Sequence, residues 1–271
     1  MQAAHRLLAL LLAVCCIAAC EREPAETPAS PPTEATTAGC TLTMGWDPWE
    51  PYHYMDPKGN LQGLDVELVR AMAAEAGCSV SFERDNWASL LGRIRTGEID
   101  LISGATRTPE RDEFAMFSSP YRIEEFGLFV RRDDTNVLAA ESLAAMLDAG
   151  MKIGVTDAYL YGSEIEALQD DPAYEDQFII AEVGETNATR LLDRVIDAYL
   201  EDVIVGTSIV RRRGLDADVE LHPLAATGGS EVRLMFSNAS VSPEVVARFD
   251  SALTRLRESG RYEEIEGQYI R

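Results

Sequence analysis

The regular alternation of strand and helix patterns is the feature that most constrains the fold of this chain. The runs CTLTMG and CSVSFE have strand character, and the segment between them carries Leu64, Leu68 and Met72 at helical spacing. Such alternation predicts a parallel sheet with crossover helices. We therefore expect an α/β fold, in which ligands bind at the carboxyl edges of the strands.

The same alternation predicts two lobes. A helix from Trp87 to Thr96 and the strand EIDLIS complete the first series. The extended run GLFVR then leads the chain out of the first lobe. A new series begins at MKIGV and continues through QFIIAEV and AYLEDVIVG. The strand EVRLMFSN and a long final helix are expected to return to the first lobe. The predicted boundaries are 40–131 plus 228–271 for lobe 1, and 132–227 for lobe 2.

The N-terminus has the layout of an export signal. An unbroken apolar run from Leu7 to Ala19 follows Arg6 and is short for a membrane span. Its end, IAAC, resembles a bacterial lipobox, which implies a signal peptide over 1–19 and lipidation of Cys20. The Pro- and Thr-rich residues 20–39 are predicted to be a flexible tether. A plain signal peptide with an incidental cysteine is the alternative. Either interpretation predicts a periplasmic or other extracytoplasmic protein, and the lipobox anchors it to the membrane.

The signal-peptide interpretation decides which cysteines can form a disulfide. Cys15 and Cys16 leave with the signal peptide and Cys20 carries lipid, so Cys40 and Cys78 remain. Each follows Ala-Gly and begins a predicted strand, in an oxidising compartment. If the strands are parallel neighbours, a disulfide between their first residues is feasible. Two separate buried thiols are the alternative.

The charge and the scattered histidines limit the function classes. A formal net charge of −22 argues against nucleic acid or an anionic membrane surface as a partner, so the lipid is the expected membrane contact. His5, His53 and His222 form no recognisable triad or metal motif. We expect no metal, no cofactor, no enzymatic activity and a monomer. Glu50 or Asp202 could act as a general acid or base if buried.

An arginine in an unfavourable position marks the candidate site. In the run ISGATRTPER, Thr108 and Pro109 predict a helix start, which puts Arg111 in the first turn. The positive end of a helix opposes a cation by about 0.3–1 kcal/mol. A guanidinium beside free backbone N–H groups is, however, a strong site for a carboxylate. The alternative is that Arg111 pairs with Asp112 or Glu113.

Several motifs in order resemble a known family. They are Pro51-Tyr52, GNLQGLDVELVRAMA, the run from Trp87 through Leu91 to GEID, ISGATRTPER with FSSPY, and GRYEEIEGQYI. Together they resemble the bacterial extracellular solute-binding proteins of family 3, the substrate-binding proteins of amino-acid ABC transporters. The resemblance implies the two-lobe periplasmic binding protein type II fold, with two crossover strands and a ligand cleft between the lobes. It also implies capture of an amino acid or related carboxylate by hinge closure, and delivery to an ABC transporter permease.

The resemblance also implies roles for polar residues. Arg111 matches the family's arginine for the α-carboxylate, Gly104 matches a backbone contact and Thr106 a hydroxyl contact. Asp202, in the run IDAYLED, matches the aspartate that binds the α-ammonium group. Thr106 as an ordinary loop residue and Asp202 as a solvated acid are the alternatives.

Aromatic and acidic residues complete the implied site. Trp49, Tyr52 and Trp87 are candidates to stack on the ligand side chain. Asp47 and Glu50 lie in the first loop and could favour a cationic side chain. Trp87 as a core residue, and the acids as solvated loop residues, are the alternatives.

One segment departs from the family pattern. Where amino-acid binders show a Gly-Thr-Thr-like loop, this chain has Thr156–Tyr161, in which Asp157 would repel a carboxylate and Tyr159 and Tyr161 would fill space. Two other functions therefore stay open. One is a ligand-sensing module that serves no transporter, and the other is a cleft enzyme similar to cyclohexadienyl dehydratase.

Overall fold

The computed structural model describes residues 39–224 and 229–270. The predicted signal peptide, Cys20 and all but the last residue of the predicted tether lie outside the described residues. The predicted return to lobe 1 at residue 228 also falls in an interval, 225–228, that is not described. Within the described residues, no helix has both the length and the apolar character needed to cross a membrane.

The first sheet is built from the two ends of the chain. Its order is β4-β1-β5-β13-β6, with β7 paired to β13. Strand β1 lies parallel to β4 and β5, whereas β13 is antiparallel to its neighbours. The strands are β1 (Cys40–Trp46), β4 (Cys78–Arg84), β5 (Leu101–Thr106), β6 (Ala115–Phe117), β7 (Arg122–Glu124) and β13 (Ser230–Ser237). A hairpin of β2 (Tyr54–Met55) and β3 (Leu61–Gln62) follows the first loop.

The second sheet is built from the middle of the chain, in the order β10-β9-β11-β8-β12. Strands β9, β10 and β11 are parallel, and β8 and β12 run antiparallel to their neighbours. The strands are β8 (Phe126–Arg131), β9 (Ile153–Thr156), β10 (Phe178–Ala181), β11 (Ala198–Asp202) and β12 (Val219–Leu221). The two sheets, with helices between their strands, confirm the predicted α/β class.

The helices connect the strands and cover the sheets. Those of the first sheet are α1 (Leu64–Glu75), α2 (Trp87–Thr96), α3 (Pro109–Asp112), α9 (Pro243–Glu258) and α10 (Arg261–Tyr269). Those between the strands of the second sheet are α4 (Thr135–Leu138), α5 (Leu143–Asp148), α6 (Ser163–Gln169), α7 (Thr186–Leu192) and α8 (Val203–Arg212). Apolar faces of α1 and α9 pack on the first sheet, with Leu68, Met72, Phe249 and Leu253 fully or almost fully buried.

The strand β8 precedes the predicted lobe boundary but belongs to the second sheet. The boundary at residue 131 places Phe126–Arg131 in lobe 1, but this strand pairs with β11 and β12 of the second sheet. The run GLFVR is apolar enough to be buried in either sheet, so its pairing could not be inferred from its composition. The chain therefore changes sheets between Glu124 and Phe126.

The predicted disulfide between Cys40 and Cys78 is confirmed. The two cysteines are paired positions at the start of parallel strands β1 and β4, with their Cα atoms 4.5 Å apart. The predicted helix start is also present, because the Thr108 Oγ1 atom accepts a hydrogen bond from the Arg111 backbone N–H at 3.2 Å. The sequence thus predicted both local structures at their observed residues.

Candidate functional site

A cavity lies between the two sheets, with about 360 Å³ of space that is free of protein atoms and partly open to solvent. The side contributed by the first sheet comes from the first loop, α2, β5, α3 and β7, and the side contributed by the second sheet comes from β8 and the loop after β9. The residues that line it are Asp47, Trp49, Trp87, Ser103, Gly104, Thr106, Arg111, Glu124, Phe126, Tyr159 and Leu160. Carboxyl ends of β1, β5 and β9 therefore meet here, where an α/β sheet binds its ligands.

Arg111 is the cation of the cavity wall. Its Nη1 atom donates to the Thr106 carbonyl at 2.8 Å, and its Nη2 atom donates to the Ala158 carbonyl at 3.4 Å. Burial lowers the pKa of Arg111 to about 10, although the charges of Glu124 and Glu166 oppose that shift. The alternative partner Asp112 instead forms an ion pair with Arg107 at 2.8 Å. The guanidinium is therefore held by neutral carbonyl groups, and its charge remains available to a ligand anion.

Aromatic rings form the apolar part of the cavity. The Tyr159 ring lies edge-on to the rings of Trp49 and Trp87, with centroids 6.2 Å and 6.1 Å apart. The Arg111 Cζ atom is 5.7 Å from the centre of the Trp87 ring. Trp87 is 93% buried and packs in an apolar cluster while it also lines the cavity. Trp87 is thus both a core residue and a cavity-lining residue, as each of the two interpretations expected.

Three residues of β5 also line the cavity, namely Ser103, Gly104 and Thr106. Gly104 has a φ of +71°, and a Cβ atom there would lie 2.9 Å from the Trp49 ring. The Gly104 N–H donates to the Tyr121 hydroxyl at 2.9 Å, so this donor is already used. Ser103 Oγ pairs with His53 Nε2 at 2.6 Å. Thr106 contributes its carbonyl to Arg111 and also lines the cavity.

Two acidic residues line the cavity with Arg111. Asp47 accepts a hydrogen bond from the Tyr159 hydroxyl at 3.3 Å, and burial raises its pKa. Glu124 is 95% buried at the end of β7. Burial raises the pKa of Glu124 to about 8; the charge of Arg122 lowers it, and those of Asp202, Glu201 and Asp65 raise it. The two cavity-lining carboxylates and one guanidinium, when ionised, leave the wall with one excess negative charge.

A third acid lies directly behind the wall. The Glu201 Oε1 atom accepts hydrogen bonds from Trp49 Nε1 at 3.1 Å and from the Asp202 backbone N–H at 3.0 Å. Burial raises the pKa of Glu201 to about 8. Its Oε2 atom is buried and has no hydrogen-bond partner among the described residues. When ionised, this residue adds to the negative potential of the cleft.

Two predicted site residues do not line the cavity. The Asp202 Oδ1 atom accepts hydrogen bonds from the Ile204 and Val205 backbone N–H groups, each at 2.9 Å, and caps α8. The hydroxyl of the fully buried Tyr52 lies 3.5 Å from the same oxygen, and the Arg122 Cζ atom is 3.7 Å from the centre of its ring. The structure therefore places Asp202 and Tyr52 behind the cavity wall, and brings the other six predicted residues together on its surface.

The segment Thr156–Tyr161 contributes differently than its sequence suggested. Asp157 is exposed and does not line the cavity, so it does not oppose a carboxylate there. The Ala158 carbonyl instead accepts hydrogen bonds from Arg111 and from Trp87 Nε1 at 3.1 Å. Tyr161 is buried, and its hydroxyl accepts from the Thr156 N–H at 2.7 Å. This loop therefore closes the cavity with a carbonyl group and the Tyr159 ring.

Sequence reasoning missed five lining residues, namely Ser103, Glu124, Phe126, Tyr159 as a wall, and Leu160. Ser103 adjoins Gly104 in the quoted motif, so its position on β5 was a usable signal. Glu124 had no such signal, because the run RIEEFG contains two adjacent glutamates. Which of the two faces the cavity depends on where the chain changes sheets. Among the described residues, no group of three or more His, Cys, Asp or Glu side chains could hold a metal ion.

Comparisons with known proteins agree with this arrangement. The family described as bacterial extracellular solute-binding proteins, family 3, matches residues 42–271. A protein of Neisseria gonorrhoeae named "Probable histidine-binding protein" is 24% identical over 234 residues, which cover 81% of this chain and 79% of that protein. The curated relatives are mostly binding proteins.

Solved structures show the same fold. An ancestral arginine-binding protein bound to arginine is 22% identical, covers 85% of this chain and 98% of its own, and has a TM-score of 0.75. A histidine kinase sensor domain with similarity to periplasmic binding proteins is 21% identical, covers 86% and 96%, and has a TM-score of 0.73. The architecture is therefore the two-lobe type II periplasmic binding protein fold.

Proposed function

Since the chain belongs to family 3 of the bacterial extracellular solute-binding proteins, we propose that it captures an amino acid or related carboxylate in the cavity and delivers it to an ABC transporter. Members of this family work outside the cytoplasm. We further propose that lipid on Cys20 anchors this chain to the membrane, that residues 20–39 act as the tether, and that the protein is a monomer. Lobe 1 of this proposal includes residues 40–125 and lobe 2 begins at Phe126.

The availability of Arg111 is the observation that supports this proposal most strongly. A buried guanidinium that faces a cavity and contacts only neutral oxygens would be costly without a counter-ion. A ligand carboxylate supplies that counter-ion with bidentate geometry. Thr106 and Gly104 lie beside it, and Trp49 and Trp87 cover the ligand side chain. Asp47 lies in the first loop, at the part of the cavity where a side chain would extend.

Closure of the two lobes explains how such a site holds its ligand. Each wall of the cavity belongs to a different sheet, and Arg111, Trp87 and Asp47 each contact the loop after β9. A ligand that bridges the walls stabilises the closed arrangement by its differential affinity for that arrangement. Although Ser103 Oγ lies 2.6 Å from His53 Nε2, the relatives are mostly binding proteins, and we propose a binding protein rather than an enzyme.

Calorimetric titration with the twenty proteinogenic L-amino acids tests the proposal. At least one should bind wild-type protein, and Arg111→Ala should weaken that binding by about 2–5 kcal/mol, because the ligand carboxylate loses its partner. Arg111→Lys keeps the charge but loses the bidentate geometry, so its affinity should lie between the two. Arg107→Ala is a matched control, because this exposed arginine of the same loop pairs with Asp112. Normal binding by Arg111→Ala would contradict the proposed site.

A sensing role is the second candidate, and the similarity to a histidine kinase sensor domain favours it. The same cavity would then report its ligand to a membrane-bound partner without transport. Uptake of radiolabelled amino acid by cells that lack the protein decides between the two functions. Lost uptake supports transport, whereas normal uptake with lost ligand-dependent signalling supports sensing.

A further inference from the structure

We propose that Glu50 and Arg212 form an ion pair that holds the two lobes closed around the ligand, and that this pair slows ligand release without contacting the ligand. The inference rests on the proposed function, since it concerns the affinity for the ligand that the cavity captures. It also gives a role to Glu50, whose position in the first loop left several roles open.

The pair crosses from one lobe to the other outside the cavity. Glu50 lies in the first loop of lobe 1, and Arg212 is the last residue of α8 in lobe 2. The Arg212 Nε atom lies 2.8 Å from the Glu50 Oε2 atom. Neither residue lines the cavity. The pair is therefore placed to act on the arrangement of the lobes and not on the ligand itself.

Local structure holds Glu50 in its place on lobe 1. The Trp49 carbonyl accepts hydrogen bonds from the Tyr52 N–H at 2.8 Å and from the His53 N–H at 3.0 Å, which closes a tight turn around Glu50. The backbone that carries this carboxylate is thus fixed by bonds within lobe 1. Little backbone freedom remains to be lost when the pair forms.

Arg212 is held in a similar way on lobe 2. It lies in the last turn of α8, where the helix dipole favours a cation. Its Nη2 atom donates to the Glu185 Oε1 atom at 2.6 Å, and Glu185 belongs to the same lobe. The guanidinium is therefore oriented by its own lobe, which reduces the side-chain entropy that limits most surface ion pairs.

Partial burial makes Glu50 depend on this arginine. Only 21% of the Glu50 side chain is exposed, against 39% for Arg212. Burial raises the pKa of Glu50, and the charge of Arg212 is the largest influence in the opposite direction. A carboxylate that is partly removed from water gains more from a nearby cation than an exposed one does. Separation of the lobes breaks this contact.

The pair works together with the bond between Trp49 and Glu201. Trp49 contacts lobe 2 just before α8 begins, with its Nε1 atom 3.1 Å from the Glu201 Oε1 atom. The next residue, Glu50, contacts the last residue of the same helix, which is about 15 Å long. Two contacts at separate points fix the orientation of lobe 2 against the first loop, whereas a single contact would permit rotation about it.

A contact between the lobes affects ligand release more than ligand entry. The ligand enters before the lobes close, and it leaves only after the contacts between the lobes have broken. Any contact that stabilises the closed arrangement therefore raises the affinity in proportion to its effect on closure. The change is expected in koff, with kon unaltered. For a partly exposed ion pair the effect is about two- to fivefold.

Stopped-flow tryptophan fluorescence tests the pair. The probe is each proteinogenic L-amino acid that binds wild-type protein in calorimetric titration. Glu50→Gln should raise koff about two- to fivefold and leave kon within about 1.5-fold of wild type. At about 1 M NaCl the two proteins should release the ligand at the same rate within about 1.5-fold, because salt screens the ion pair. A purely structural role of Glu50 would not produce this convergence.

A double-mutant cycle assigns the effect to the two partners. In an Arg212→Gln background, Glu50→Gln should change koff by less than about 1.5-fold, because the partner is already absent. Glu220→Gln is the matched control. It removes the same charge from an ion pair that lies within lobe 2, with Arg132 Nη1 2.9 Å from Glu220 Oε2. That pair is present whether the lobes are open or closed, so koff should equal that of wild type.

Three results would overturn the pair and leave the proposed function intact. They are an unchanged koff in Glu50→Gln, an equal rise of koff in Glu220→Gln, and a Glu50→Gln effect that persists in the Arg212→Gln background or at about 1 M NaCl. If no amino acid binds wild type, the proposed function fails and the role of the pair fails with it. Circular dichroism of each variant establishes that it is folded before the measurement.

Discussion

Trp49 and Glu201 join the two sheets through one buried hydrogen bond. The indole Nε1 atom of Trp49, in the first loop, donates to the Glu201 Oε1 atom at the end of β11 at 3.1 Å. Both side chains are at least 95% buried, and they lie 152 residues apart in sequence. The bond therefore couples a wall of the cavity to the strand that precedes α8.

We expect Trp49→Phe to lower the free energy of unfolding by about 1–3 kcal/mol, because it removes a donor from a buried carboxyl group. Urea denaturation without ligand measures this loss. Trp87→Phe is the matched control, since its Nε1 atom also bridges the sheets but donates to the neutral Ala158 carbonyl. It should cost less, about 0.5–1.5 kcal/mol. An equal loss in both variants would contradict the extra cost of leaving the Glu201 carboxyl group without its donor.

The stability of the ligand-free protein should fall as the pH rises. Burial raises the pKa of Glu124 and of Glu201 to about 8, whereas a glutamate in the unfolded chain titrates near about 4.3. Between these values the folded protein binds more protons than the unfolded chain, so its stability is greatest below the unfolded pKa and is lost as the pH rises through about 8. We expect the Tm at about pH 9 to be several degrees below that at about pH 6.

Scanning calorimetry of Glu124→Gln should show a shallower fall of Tm with pH than wild type. Glu263→Gln serves as the control, because this glutamate is exposed on α10 and its removal should leave the slope unchanged. A Tm of the ligand-free protein that is constant or rises over this pH range would contradict the raised pKa values of the buried acids.

The sequence predicted local structure well and the position of the site in part. The strand and helix alternation, the N-cap at Thr108 and the disulfide each depend on residues close in sequence or at matched positions of adjacent strands. The position of Asp202 relative to the cavity could not be predicted in this way, since an aspartate after a strand can face a ligand, cap the next helix or do both. That choice depends on where α8 begins, and the inward direction of Glu124 depends on where the chain changes sheets.

Removal of the disulfide should destabilise the first sheet. The bond closes a loop with a sequence separation of 38 residues, for which chain entropy in the unfolded state gives about 4 kcal/mol. We expect the double variant Cys40→Ser/Cys78→Ser to unfold at lower urea concentration than oxidised wild type. Wild type treated with a reductant should match the double variant. Two reactive thiols in denatured, unreduced protein that begins at Gly39, and so holds only Cys40 and Cys78, would contradict the bond.

Ala158→Gly should stabilise the loop after β9. Ala158 has a φ of +58°, a left-handed conformation that costs a residue with a Cβ atom about 1 kcal/mol. Glycine removes that cost but gains freedom in the unfolded chain, so we expect a net gain of up to about 1 kcal/mol. Ala145→Gly, inside α5, should instead lose about 1 kcal/mol. Urea denaturation compares the two, and a loss in both would contradict the strain at Ala158.

The disulfide between Cys40 and Cys78 also limits aggregation through the edge strand β4. Strand β4 stands at the end of the sheet order and pairs with β1 alone among the described strands. Such an edge strand, once detached, exposes a partner strand to other chains and invites strand exchange and aggregation. Because the covalent link fixes the first residue of β4 to the first residue of β1, the edge can fray only from its far end. The link therefore makes it harder for β4 to pair with another copy of the chain.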